Sequence, residues 1–396
     1  MQAREIKPGI YWVGGIDWNL RNFHGYSTDK GSTYNAYLIV DEKIALIDTV
    51  KANLTQELIS RIRKVVDPAR IDYVISNHIE MDHSGALPAI MELTPHATLV
   101  TSPNGDKGLH AHYPKEACRW KFKVVQQGDT ISLGKRTLQF LPIPMVHWPD
   151  SMLTYVPEEK LLMPNDAFGQ HLASEFLFDD EIGCSIVREQ AAKYYANIVL
   201  PYSKSVQTLL TQIQKMKIEF DMIAPSHGVV IRKNVKELVS LYNKWSTHQS
   251  DNKVLILYDT MWNSTEKMAE TIQLAVEEMN IPCCRTSLTT THISDVITRV
   301  MESRYIFIGS PTLNNQVLPT MASMLSYMQG LRPRNKIGFV FGSYGWGGQA
   351  PKLIEESLRA LGWELPLPPM AIKYIPTEES LDELRTQVTK ILTGAK

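Results

Sequence analysis

ISNHIEMDHSG, residues 75–85, carries four side chains able to bind metal, His78, Glu80, Asp82 and His83, inside six consecutive positions. Their offsets share no single face of an α-helix, on which neighbours recur every three or four residues. They suit an irregular loop that leaves a strand, here Asp72 to Ser76, and turns alternate side chains toward one small ion. Three further strand-like runs end in a possible ligand: TLQFLPIPMVH (137–147) in His147, KLLMPND (160–166) in Asp166 and DMIAPSH (221–227) in His227. A lone His or Asp at a strand end usually serves a turn or a cap. Four in six positions rarely arise that way, and the later three take their meaning from the cluster. One sheet edge could gather all seven.

Working outward, TYNAYLIV (33–40), KIALIDTV (43–50), ATLVTS (97–102) and KFKVVQ (121–126) read as further short strands, and helical spacing sets in between about Gln190 and Tyr242. The polar stretch STHQSDNK (246–253) then separates this strand-rich α/β part from a different rhythm. KVLILYD, PCCRTSL, RYIFIGS, KIGFVFGS and MAIKYIP alternate with helical segments, the pattern of a doubly wound five-stranded parallel sheet. The expected division is residues 1–249 and 250–396, in keeping with a length of 396 residues that exceeds one ordinary core. There is no internal repeat.

Composition narrows the function classes. With 41 basic against 42 acidic residues, nothing in the charge favours nucleic acid or an acidic membrane surface. The first residues, MQAREIKPGIYWVGG, lack a basic cap followed by an apolar run, and no stretch approaches the roughly 18 apolar residues that span a bilayer. A cytoplasmic protein is expected. Cys118 and Cys184 are isolated and Cys283 and Cys284 adjacent, so no Cys-x-x-Cys knuckle exists and any metal falls to His and carboxylates.

Three loops follow strands of the second part, at the sheet edge where doubly wound folds bind ligands. The first offers Thr260, Met261, Trp262, Asn263, Ser264 and Thr265, hydroxyl-rich and leading into a helix whose free N–H groups could cradle a phosphate. The second offers Pro311, Thr312, Leu313, Asn314 and Asn315. The third offers Ser343, Tyr344, Gly345, Trp346 and Gly347, whose aromatic pair suits stacking on a flat ring and whose glycines allow close backbone approach. Neither a Walker loop nor a Gly-x-Gly-x-x-Gly turn is present, so a monophosphate cofactor fits better than a dinucleotide. The loops resemble those of flavodoxin, implying FMN, although the usual Thr-x-Thr-Gly-x-Thr start here reads Thr-Met-Trp-Asn-Ser-Thr.

His-x-Glu-x-Asp-His after a strand, followed by a His, an Asp and a His in that order, resembles the metallo-β-lactamase fold, an αββα sandwich. Its zinc hydrolases usually hold His at the third position of this motif, where this chain has Glu80. A carboxylate in place of an imidazole makes the donor set harder and more anionic, which favours iron over zinc. With Glu there and a flavodoxin-like part behind it, the chain resembles the flavodiiron proteins over essentially its whole length. The resemblance implies that His78, Glu80 and His147 hold one iron, that Asp82, His83 and His227 hold the other, and that Asp166 bridges them. It further implies reduction of dioxygen to water or of nitric oxide to nitrous oxide, with electrons passing through FMN from a rubredoxin-like protein or a reduced deazaflavin, in a head-to-tail homodimer or a dimer of dimers.

His24 and Tyr195 are softer candidates for hydrogen-bond donors beside the metals, whereas His110 and His171 read as surface or structural residues. Two rival readings remain open on the sequence: a dinuclear zinc hydrolase, and a non-enzymatic FMN electron carrier with an inactive metal scaffold.

Overall fold

Strand alternation explains the first sheet. In the adjacent strands Tyr37–Val40, Ile44–Ile47, Ile71–Ser76 and Thr98–Thr101, Leu38, Leu46, Val74 and Leu99 point to one face while Ile39, Ala45, Ile47, Ile75 and Val100 point to the other. Both faces are therefore apolar, and both must be covered. Helices Thr55–Arg63, Leu87–Leu93 and Pro103–His112 cover the first with Leu58, Ile62, Ile90 and Leu109. A second sheet covers the other, contributing Leu138, Phe140, Met152, Val156 and Met163 to a common core. Each such side chain stabilises the fold by roughly 1.5–3 kcal/mol through removal from water. The computed structural model describes residues 2–394.

The first sheet has seven strands, in the order Arg4–Lys7, Ile10–Trp12, Tyr37–Val40, Ile44–Ile47, Ile71–Ser76, Thr98–Thr101, Lys121–Val124. The second has five, Thr130–Ser132, Thr137–Pro142, Met152–Val156, Leu161–Met163 and Met222–Ile223, in sequence order. Helices Cys184–Tyr194, Ser203–Lys215 and Val235–Ser246 bury Val187, Leu209 and Leu238 and form the outer layer of the αββα sandwich.

The third sheet is wholly parallel, with strands Asp251–Tyr258, Cys283–Ser287, Ser303–Gly309, Ile337–Tyr344 and Met370–Lys373 arranged second-first-third-fourth-fifth. This is the flavodoxin-like order, and its switch point lies between the first and third strands. The chain divides into two compact units, residues 1–24 with 28–243, and residues 25–27 with 244–396. The polar stretch 246–253 begins in the last turn of helix Val235–Ser246 and ends inside strand Asp251–Tyr258. Among the described residues no helix is long and apolar enough to cross a membrane.

Three expected strand ends are corrected. The strand toward His147 stops at Pro142, because Pro142 and Pro144 lack the N–H that continued pairing needs. Residues 143–151 form a loop closed by Ile143 N–H donating to Ser151 O at 2.8 Å. Asp166 and His227 likewise lie in loops, beyond strands that end at Met163 and Ile223. The loop around residues 78–83 is also half helical, since Met81–Ser84 forms one α-turn with Glu80 at its N-cap.

Candidate metal centre and flavin pocket

The turn that carries Glu80, Asp82 and His83 is closed locally. Ser84 N–H donates to Glu80 O at 2.9 Å, and Ser84 Oγ donates to Ile79 O at 2.7 Å. Gly85 must follow, because a Cβ there would stand 2.5 Å from Met81 O and 2.6 Å from Ala52 N. Beneath the turn, the buried Asp48 carboxylate accepts Asn77 N–H at 2.7 Å and Asn77 Nδ2 at 3.0 Å, with Asn165 Nδ2 at 3.4 Å. Asp48 thereby joins the residue before His78 to the residue before Asp166.

Seven side chains converge in two groups, His78, Glu80, His147 and Asp166 in one and Asp82, His83 and His227 in the other, each with ligand atoms within 4.8 Å of one another. Asp166 stands between them with one oxygen facing each. Its Oδ2 lies 3.5 Å from His78 Nε2 and 3.2 Å from His147 Nε2, while Oδ1 lies 3.1 Å from His83 Nε2 and 3.4 Å from His227 Nε2. Glu80 Oε2 is 3.3 Å from His147 Nε2, and Asp82 Oδ2 is 3.3 Å from His227 Nε2.

Two of the imidazoles are held in orientation from behind. His78 Nδ1–H donates to Asp150 Oδ2 at 2.8 Å, and that oxygen also accepts Ile79 N–H at 2.8 Å. His227 Nδ1–H donates to Thr33 O at 2.7 Å. Both rings therefore present a lone pair on Nε2 to the cluster, as metal-ligating histidines do.

The electrostatics show what the cluster lacks. Burial pushes the Asp166 carboxyl up, yet the imidazoles of His83, His147 and His78 hold it well below its ordinary range. Burial pulls His83 down, but Asp82 and Asp166 raise it to about 9. Both Asp166 oxygens, Asp82 Oδ1 and both ring nitrogens of His83 are nonetheless buried without a hydrogen-bond partner. Orphaned buried polar atoms are costly, and this many around one point are satisfied together by cations at its centre. Three carboxylates with four imidazoles form a hard, anionic set that fits a pair of iron ions.

The second unit carries a cavity of about 840 Å³, within the size range of cofactor sites. It is lined by Met261, Trp262 and Ser264 from the first loop, Pro311, Thr312, Leu313, Asn314 and Asn315 from the second, and Ser343, Tyr344, Gly345, Trp346 and Gly347 from the third. Asn263, Asn314 and Asn315 adopt left-handed backbone, with φ of 63°, 51° and 60°. Asn tolerates this conformation, and turns that contain it can gather successive N–H groups into a concave anion site. Asn263 caps helix Ser264–Glu278 without a side-chain hydrogen bond, which leaves the first-turn N–H groups for a phosphate.

Thr260, Asn263 and Thr265 are not at the cavity surface. Thr265 is fully buried with its Oγ1 2.9 Å from Ser343 Oγ, joining the first loop to the third. Thr260 Oγ1 is buried without a partner, a further orphan in the first loop. At Gly342 a Cβ would collide with Ser310 O, so only glycine lets the second and third loops approach.

Both halves match known families in the corresponding places. Residues 33–228 match the model of the ODP family beta lactamase, and residues 256–387 match that of flavodoxin. The nitric oxide reductase of Moorella thermoacetica is 46% identical over 383 residues, which is 96% of each chain. Among solved structures, rubredoxin oxygen:oxidoreductase from Desulfovibrio gigas superposes with a TM-score of 0.96 at 39% identity, over 99% of this chain and 98% of that one. The flavodiiron protein of Giardia intestinalis superposes with a TM-score of 0.96 at 33% identity, over 99% and 96%. The chain belongs to the flavodiiron proteins.

In this flavodiiron protein His24 reaches the first ligand group, its Nε2 3.3 Å from Glu80 Oε1, and its ring remains solvent-exposed. Tyr195 instead places its hydroxyl 3.1 Å from Ser203 Oγ and packs edge-on against Tyr242. Tyrosine rings beside these imidazoles include those of Tyr34 and Tyr194, 5.5 and 5.9 Å from His227, and Tyr202, 6.5 Å from His147. Successive helical positions point in different directions, so a one-residue difference decides which tyrosine faces the site.

His110 is exposed, but His171 is fully buried 4.8 Å from the His227 ring, where burial and His227 keep it well below its ordinary range and thus neutral. Asp48, Asp150 and His171 have no sequence signal beyond residue type, since each lies far along the chain from the ligand it supports. Tyr374 and Ile375, which also line the flavin cavity, follow the fifth strand and sit outside the three loops that the sequence pattern marks.

Proposed function

We propose that this protein reduces dioxygen to water, nitric oxide to nitrous oxide, or both, at a non-haem diiron site supplied with electrons through FMN from an external donor. Names of relatives in both reaction classes support the reading, and the division of the Asp166 carboxylate between two ligand groups carries it. A carboxylate so placed serves two ions at once. In this assignment His78, Glu80 and His147 hold one iron, Asp82, His83 and His227 the other, and Asp166 bridges.

Bound there, two ferrous ions would supply two electrons, enough to couple two nitric oxide molecules, and FMN would collect electrons from the donor and supply the further two that dioxygen needs to reach water. The chain supplies the rest. Asp150 and Thr33 fix the tautomers of His78 and His227. Glu80 adds negative charge where an imidazole would leave the set softer, favouring iron and arguing against a zinc hydrolase. His24, its Nε2 beside Glu80 Oε1 and its ring open to solvent, would be a hydrogen-bond donor next to the first ligand group. Neutral His171 packs against His227 without adding charge.

The donor is a rubredoxin-type protein, with a reduced deazaflavin as the alternative. A cytoplasmic head-to-tail homodimer, or a dimer of such dimers, completes the proposal by setting one subunit's flavin beside the irons of the other, with residues 1–249 forming the metal domain and 250–396 the flavin domain. Anaerobic stopped-flow tests it: the reduced protein mixed with nitric oxide or with dioxygen should oxidise rapidly with at least one. Zinc in place of iron, or no reaction with either, would sink it; intact FMN with neither reaction would mark a mere electron carrier.

A further inference from the structure

The cavity of the second unit has a wall that the three cofactor loops do not supply. The fifth strand ends at Lys373, and the next two residues, Tyr374 and Ile375, turn into the cavity lining while staying 61% and 75% exposed. Exposed apolar side chains are informative where they are contiguous and line a cavity, as these two do. The turn is not loose. Tyr374 holds a left-handed backbone conformation, φ 59°, uncommon for an aromatic residue, and its N–H donates to Tyr344 O at 2.7 Å. Its ring lies over the third loop, 3.4 Å from where a Cβ on Gly345 would stand. Lys373 places its ammonium 5.6 Å from the centre of that ring.

We propose that Tyr374 and Ile375 are flavin-contacting residues that form a fourth wall of the pocket. This rests on the reading of the cavity as an FMN site and deepens it. The hydrogen bond to Tyr344 fixes the wall to the loop that carries Trp346, so the aromatic surfaces of Tyr374 and Trp346 flank one cavity from different strands. A planar ring system that enters buries apolar area of Tyr374 and Ile375 already held in place, at little cost in ordering. The wall shields one side of the bound ring from water.

The test uses the full-length protein stripped of flavin and titrated with FMN, followed by flavin fluorescence and visible absorbance. Tyr374→Ala should weaken FMN binding about 5- to 10-fold, as expected for loss of one aromatic contact, and shift the flavin absorbance bands as water reaches the ring. Ile375→Ala should weaken it less, and Tyr374→Phe should restore near wild-type affinity. Because both side chains are exposed, melting of the flavin-free variants should match wild type, which separates loss of a contact from loss of fold. A Tyr374→Ala, Ile375→Ala double variant within threefold of wild-type affinity and with an unchanged spectrum overturns the wall while leaving the FMN reading intact. A wild-type chain that takes up no FMN overturns both.

Discussion

The two sites recognise their ligands by opposite means. At the proposed metal centre the work is done by buried charged side chains that leave few hydrogen-bond options: five of the seven proposed ligands, His78, Asp82, His83, Asp166 and His227, are buried, and Asp82, His83 and Asp166 carry buried polar atoms with no hydrogen-bond partner. At the flavin pocket it is done by backbone shape and exposed surface, with Asn263, Asn314 and Asn315 in left-handed conformations and Trp262 and Trp346 88% and 93% exposed. Charge buried in low dielectric is all-or-none, because removing one member strands the others. A pocket built of many small contacts loses affinity in steps. The metal site should therefore fail abruptly under single substitutions and the flavin site gradually.

Asp166→Ala probes the abrupt end. Since both groups share this carboxylate, both irons should be lost or disordered while FMN content is unchanged; metal analysis that still finds both irons would contradict the bridge. Asp150→Asn removes only the charge behind His78, and metal affinity should fall about 10- to 100-fold, the usual cost of losing such support. Competition with a chelator reads this directly, and an unchanged release curve would show that His78 needs no partner. Trp346→Ala should weaken FMN by up to about tenfold with iron content intact, in keeping with one lost aromatic contact; iron loss there would erase the contrast between the sites. Thr265→Val breaks the buried bond to Ser343 and should cost about 1 kcal/mol of stability. Thermal melting would register that as a drop of a few degrees, with FMN affinity changed less than in Trp346→Ala.

Legibility in the sequence follows the same contrast. The metal motif is readable because His78, Glu80, Asp82 and His83 are four metal-capable residues crowded into six positions. The five parallel strands are readable because each is an apolar run of strand length between helical segments. Where the expectation overruns, a local feature outweighs hydrophobicity: Pro142 and Pro144 end a strand that apolar content alone carries on to His147. Residue type singles out Tyr195 where the structure turns Tyr194 toward the site, because composition cannot say which way a helix is rotated. The Thr265 hydroxyl, which reads as a phosphate contact, is turned to Ser343 as a buried strut between loops. Tyr374 lies beyond the expected loops, and its conformation is set by a hydrogen bond to Tyr344, far earlier in the chain.

By itself, the sequence determined the ligand types and their order, the iron-favouring carboxylate at Glu80, and the change from a sandwich to a doubly wound sheet. These are local properties, written in residue chemistry and in the short periods of strands and helices. Only the tertiary structure decided that Asp166 offers one oxygen to each ligand group, that Asp150 and Thr33 set the faces of His78 and His227, and that Tyr374 closes the flavin cavity. Each of these joins atoms distant along the chain to within a few ångströms, and such a distance is fixed by how sheets and helices pack, which no local pattern records.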